Sequence, residues 1–215
     1  MKNASIGTLV REEGLTLYYK TTSPFNYMAQ TDKIKEVEIR FFDKRKISSK
    51  QRARVYATLG DIADHLGYPP EELKEIMKYR YIASTGDKYF SFSDCSITTA
   101  RHFISYIIDF ALEWSIPLMD FAINRTDDIN AYLYSCLIHR RCAICGLEAH
   151  LHHVTAVGMG RNRREIVHLG MDVMALCPAH HDECHTVGQA VFDEKWKVFG
   201  LKANEEICEK WALRR

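Results

Sequence analysis

Apolar and polar residues alternate in short runs through the first forty positions. IGTLV, REEG and LTLYY follow one another, and VEIRFF occupies 37 to 42. A period of two broken by turn residues predicts a small group of strands over residues 6 to 42. The period changes after Ser48 and Ser49. Val55, Leu59, Ile62, Ala63 and Leu66 recur at helical spacing, which predicts a helix from about Ser49 to Gly67. PPEELKEIMKYR opens a second helix, with prolines at its start and acids in its first turn. YIASTGDKYFSFS reads as a return to strand around a Gly-Asp turn. From Ser93 a long helix is expected, because Ile97, Ala100, Ile104, Ile107, Ile108 and Ala111 form one apolar stripe. The polar segment NRTDDIN at 124 to 130 is the expected domain boundary, followed by a connecting helix to about Ile138.

Charge adds one feature to this picture. The formal net charge of the 215 residues is only +1, yet seven basic residues face one acid between Arg40 and Arg54. Such a run, which includes Arg45 and Lys46, suits attraction to a nucleic-acid backbone. Phe41 and Phe42 beside it fit either core packing or base stacking. No apolar run approaches membrane-spanning length, and the N-terminus lacks the order of a secretory signal, so a cytosolic protein without a membrane partner is expected.

Cysteine and histidine change the picture more. Four of the seven cysteines and eight of the ten histidines lie between 139 and 185. In a reducing compartment that clustering favours metal ligation over disulfides. Cys95, Cys136 and Cys208 stand apart and read as small buried hydrophobes. Cys142 and Cys145 form a Cys-x2-Cys knuckle, with Gly146 suited to its tight turn, and Cys177 with His180 forms a matching Cys-x2-His. Two such pairs supply the four nitrogen and sulfur ligands of a closed structural zinc site, and Cys184, one helical turn further on, is the alternative to His180. His152, His153, His181 and His185 remain. With Pro178 opening a helix, His181 and His185 share one face as an i, i+4 chelate. HLHHV reads as a strand, placing His150 and His152 on one side and His153 on the other. Between the two cysteine clusters VGMGRNRREIVHLG places Arg161, Arg163 and Arg164 in a glycine-flanked basic loop suited to phosphate contacts. His150 and His168 read as structural or solvent-facing.

Residues 142 to 185 resemble the HNH, or ββα-metal, nuclease motif in its zinc-stapled form. The resemblance implies His153 as general base and His152 as first ligand of a catalytic divalent ion. His181 and His185 match the helix ligands, as in colicin-type DNases. The family's asparagine falls on Asp172, which implies structural support of the base rather than chemistry. The implied activity is metal-dependent hydrolysis of DNA to 5′-phosphate and 3′-hydroxyl ends. Magnesium or manganese is the expected catalytic ion, with zinc or nickel as alternatives.

A second resemblance lies upstream. ISSKQRARVYATLGDIADHLGYPPEELKEIMK, 47 to 78, is similar to the Orf/NinB-type recombination proteins of lambdoid phages. It implies Lys50, Gln51, Arg52 and Arg54 as DNA contacts, single-stranded or branched DNA as substrate and a homodimer. It also implies a bacterial host cytoplasm, with a host single-strand-binding protein as a further partner. The expected architecture is therefore a two-domain α+β protein. A mixed Orf-like DNA-binding domain would occupy 1–130. A small ββα-metal domain with structural zinc, flanked by a connecting and a C-terminal helix, would occupy 131–215. Two competing readings are a non-catalytic zinc-containing mediator and a site-specific duplex HNH nuclease.

Overall fold

The computed structural model of the chain describes residues 7–13, 16–21, 45–155 and 167–214. The chain divides into two compact units, residues 1–42 and 43–215. Within the first, β1 (Gly7–Glu13) pairs antiparallel with β2 (Thr16–Thr21), and its register shifts between Leu9 and Arg11. The strand expected from VEIRFF lies outside the described residues, as do Phe41 and Phe42.

The second unit opens with α1 (Ser49–Leu66). Ser48 and Gln51 form a reciprocal capping box, and Gly67 ends the helix at a φ of 75° that suits glycine. The α2 helix (Pro70–Thr85) runs further than its sequence pattern suggests, so Tyr81–Thr85 is helical rather than strand. The reason is that Leu73, Met77 and Tyr81 continue one i, i+4 face into the core, where Tyr81 meets Phe90, Phe103 and Tyr106 edge-on. Residues 87–95 form no strand. Phe90 and Phe92 instead join this aromatic cluster, and the nearby backbone pairing is a single bridge between Lys46 and Ser96. The long helix α3 (Ile97–Glu113) begins four residues after Ser93, because Ser96 accepts from the Thr99 amide at 2.9 Å and caps it. All of its expected stripe beyond Ile97 is buried.

The expected boundary at 130 falls inside this second unit. After the short helix α4 (Ala122–Arg125), the polar segment is tied back to α1: Arg125 pairs with Asp61 at 2.7 Å, and Asp127 pairs with Arg54. Polar residues there serve buried ion pairs rather than a solvated linker. The helix that follows, α5 (Ile129–His139), packs on α3, and one hydrophobic core extends from Ile47 to Cys208.

Beyond α5 come β3 (His150–His153), β4 (Asp172–Leu176), α6 (Pro178–Val187), α7 (Gln189–Trp196), β5 (Leu201–Lys202) and α8 (Glu205–Lys210). The strands form an antiparallel sheet in the order β3-β4-β5, with His153 opposite Val173 and Asp172 opposite Lys202. Its central strand β4 is buried from Val173 to Leu176. Together the helices and this sheet make a mixed α+β unit. No helix among the described residues is long and apolar enough to cross a membrane.

Gly200 packs tightly against Val154, just past β3, and Asp172 of β4. A Cβ there would lie 2.4 Å from Val154 Cγ2 and 3.2 Å from Asp172 Cβ, and neither atom is the loose end of a flexible side chain. Gly200→Ala is therefore expected to destabilise the protein by about 1–3 kcal/mol through overpacking. Thermal unfolding checks this, since each kcal/mol corresponds to roughly 2–4 °C in a chain of this size.

Candidate metal centres

The first centre is built where three elements meet. Arg140 ends α5 in the left-handed region, and the knuckle at 142–146 then folds on itself through Gly146 N–H to Cys142 carbonyl at 2.9 Å. A bond from the Ala143 amide to the Ala175 carbonyl, also 2.9 Å, fastens the knuckle to β4. Cys177 follows β4 directly, and α6 starts at Pro178 with His180 in its first turn. The ligand atoms of Cys142, Cys145, Cys177 and His180 all lie within 4.8 Å of one another. Cys142 Sγ is 3.5 Å and Cys177 Sγ 3.2 Å from His180 Nδ1, and Cys145 Sγ is 3.6 Å from Cys177 Sγ. A tetrahedron of zinc bonds has edges of about 3.5–3.8 Å, so three thiols and one imidazole fit a structural metal ion. Burial and the neighbouring thiols Cys142 and Cys177 push the Cys145 thiol up to about 12, a protonated state that a bound dication would reverse. The alternative fourth ligand, Cys184, belongs elsewhere: it is buried beneath His152, with Sγ 3.6 Å from His152 Nε2.

The second centre joins β3 to α6. His152, His181 and His185 bring one nitrogen each within 4.8 Å of the others. Their rings stand edge to face, with centroids 4.6 to 5.3 Å apart. The spacing of four residues on α6 explains the second and third, while antiparallel pairing of β3 with β4 swings the first against them. Burial, followed by the charges of His152 and His185, lowers the pKa of His181 and keeps it neutral and able to coordinate. His152 Nε2 lies 2.8 Å from Gln189 Oε1, and Gln189 Nε2 lies 2.7 Å from Asp193 Oδ1. Sequence spacing offered no sign of Gln189; its place follows from the turn between α6 and α7. His150, expected to be structural or solvent-facing, is exposed, and its charge also bears on His181.

His153 is the last residue of β3, its ring 5.2 Å from that of His168. Among the described residues, His153 Nε2 and His168 Nδ1 are both buried without a hydrogen-bond partner. Burial, then the charges of His168 and His152, lower the pKa of His153. His168, expected to be structural or solvent-facing, thus stands beside the candidate base. Asp172 commits its carboxylate to Lys202 at 2.7 Å and its carbonyl to the Val154 amide at 3.0 Å, bracing the sheet below His153.

The upstream DNA candidates divide. Gln51 is buried, capping α1 and donating to the Ile97 carbonyl at 3.2 Å. Arg52 donates to the Phe92 and Ser93 carbonyls at 2.7 and 3.1 Å, and Arg54 pairs with Asp127. These three side chains hold the fold together. Arg45, Lys46 and Lys50 are exposed, with Lys46 3.9 Å from Asp94. Arg161, Arg163 and Arg164 lie outside the described residues.

Two antiparallel strands followed by a helix, with side chains that could hold a metal on the first strand and the helix, are consistent with a ββα-metal type of site. The chain belongs to the family described as "Putative HNHc nuclease", whose model matches residues 22–213. Neither the curated proteins nor the solved structures yielded a match. The family model runs through both the helices and the metal centres, and no separate N-terminal recombination domain is identified. Family membership and the metal-coordinating clusters together make this an HNH-type endonuclease, a class that acts on DNA.

Proposed function

We propose that this protein hydrolyses DNA phosphodiesters at the His152, His181 and His185 centre, leaving 5′-phosphate and 3′-hydroxyl ends, while Cys142, Cys145, Cys177 and His180 hold a structural zinc. The observation that carries this reading is the second cluster itself. A zinc-stapled binding module needs four ligands, and three further histidines converge beside them. When bound there, magnesium or manganese would supply Lewis-acid stabilisation of the charge that builds on the scissile phosphate. His153 would take the proton of the attacking water at Nε2, a ring nitrogen with no hydrogen-bond partner among the described residues. Asp172 acts on this base only indirectly, by holding the end of β3 to β4.

The preference for single-stranded or branched DNA, and a place in phage recombination, rest on the Orf-type resemblance at 47 to 78. So do a homodimer, a host single-strand-binding partner and a bacterial cytoplasmic location. The exposed Arg45, Lys46 and Lys50 support DNA capture on that side, and Arg161, Arg163 and Arg164 are proposed as phosphate contacts near the site.

The test is cleavage of end-labelled single-stranded, duplex and branched DNA with magnesium, manganese or EDTA. Metal-dependent cutting that ranks branched or single-stranded DNA above duplex supports the reading. Binding without cutting in either metal would move the non-catalytic mediator to first place. Discrete bands from a long duplex would indicate a site-specific nuclease.

A further inference from the structure

We infer that Asp193, acting through Gln189, fixes the tautomer of His152 so that its Nδ1 is the nitrogen offered to a divalent cation. This rests on the reading of His152, His181 and His185 as a cation site.

The inference follows from donor and acceptor chemistry along one chain of contacts. An ionised carboxylate only accepts, so the Gln189 nitrogen, not its oxygen, must face Asp193 Oδ1 at 2.7 Å. The amide is thereby oriented, and its Oε1 is left facing His152 Nε2 at 2.8 Å. An amide oxygen cannot donate, so Nε2 must carry the proton. Cys184 reinforces the assignment, because its thiol donates to the second lone pair of the same oxygen at 3.4 Å. A neutral imidazole protonated at Nε2 has its free lone pair on Nδ1, which leaves that atom to ligate. Support of this kind behind a ligating histidine fixes ring orientation and raises its basicity.

The backbone puts Gln189 where this requires. The α6 helix stops at Val187, and Gly188 turns the chain at φ 86° and ψ 149°, a conformation essentially restricted to glycine. Gln189 is then the first residue of α7, and Asp193 lies four residues on, over the same face. Gln189 and Asp193 are positioning residues for His152; neither is assigned a contact with DNA.

The test has two readouts that do not depend on cleavage. Nitrogen-15 long-range correlation spectra of the zinc-loaded protein, without other divalent ions, report which nitrogen of His152 is protonated. The expected result is Nε2 protonated in wild type and a mixed population in Gln189→Ala. Titration with cobalt(II) is expected to show affinity at the histidine centre about 10–100-fold lower in Gln189→Ala, with zinc content unchanged. A wild-type His152 carrying its proton on Nδ1, or an unchanged cobalt affinity in Gln189→Ala, overturns the role given to Gln189. Wild-type protein that has Nε2 protonated but takes up no cobalt at the histidines overturns the cation reading, while the hydrogen-bond chain stands. The spectrum of wild type decides the tautomer even if the variant fails to fold.

Discussion

Cys177→Ser is expected to strip the structural zinc from the protein and unfold the region between the knuckle and α6. Cys177 sits at the junction of β4 and α6 and faces both Cys145 and His180, so its sulfur would be shared by the elements that a bound ion would tie together. Structural zinc binding by small motifs is worth roughly 10–16 kcal/mol at neutral pH. That equals or exceeds the whole stability of a typical domain, about 5–15 kcal/mol, so losing even part of it exceeds what the sheet alone can supply. The consequence reaches past the zinc site. His181 and His185 ride on the same helix, and the second centre should be lost with the first. Zinc content by elemental analysis and the near-ultraviolet circular dichroism spectrum would show both losses. Cys184→Ser is the control, since Cys184 lies under His152 and not among the four ligands, and it should keep one zinc per chain. Stoichiometric zinc and a native spectrum in Cys177→Ser would sink the assignment.

His153→Ala is expected to lower the rate of DNA cleavage by about 10²–10⁴-fold, the usual contribution of a general base, without loss of zinc or of DNA binding. Among the described residues the side chain contributes no ligand to either cluster, and its Nε2 has no partner to lose. His181→Ala provides the contrast: it should lose cobalt(II) binding at the histidine centre as well as activity. Wild-type activity should also carry a pH signature. Burial, then His168 and His152, lower the pKa of His153, and the neutral ring is the form proposed to act as base. Its protonation is therefore deferred to lower pH, and the acidic limb of the rate profile should fall below the ordinary histidine value near 6.5. An acidic limb at or above that value, or a variant that cuts at the wild-type rate, would remove His153 from the chemistry.

How much of the site could be read in advance depended on how local its geometry is. Cys142 with Cys145, Cys177 with His180, and His181 with His185 are pairs whose spacing within a knuckle or one helical turn predetermines that they converge. The helices with clear caps were legible for the same reason, α1 from Ser48 to Gly67 above all. By contrast, YIASTGDKYFSFS alternates like a strand, yet Tyr81 continues the buried face of α2, and among the described residues no long strand lies alongside to pair with the rest. The polar 124 to 130 segment looked like a linker because its charges are visible in the sequence and their partners on α1 are not.

The sequence by itself brought together Cys142 with Cys145 and His181 with His185, and marked the capped start of α1, since each depends on spacing within a few residues. Only the tertiary structure decided that His180 rather than Cys184 joins the thiol cluster, because neighbours on one helix can face different centres. It also decided that Gln51, Arg52 and Arg54 serve the fold, and that Gln189, Asp193 and His168 stand beside the key histidines. Those roles depend on which surfaces meet when α6 turns into α7 and β3 is laid against β4. Packing between distant segments leaves no periodic trace along the chain.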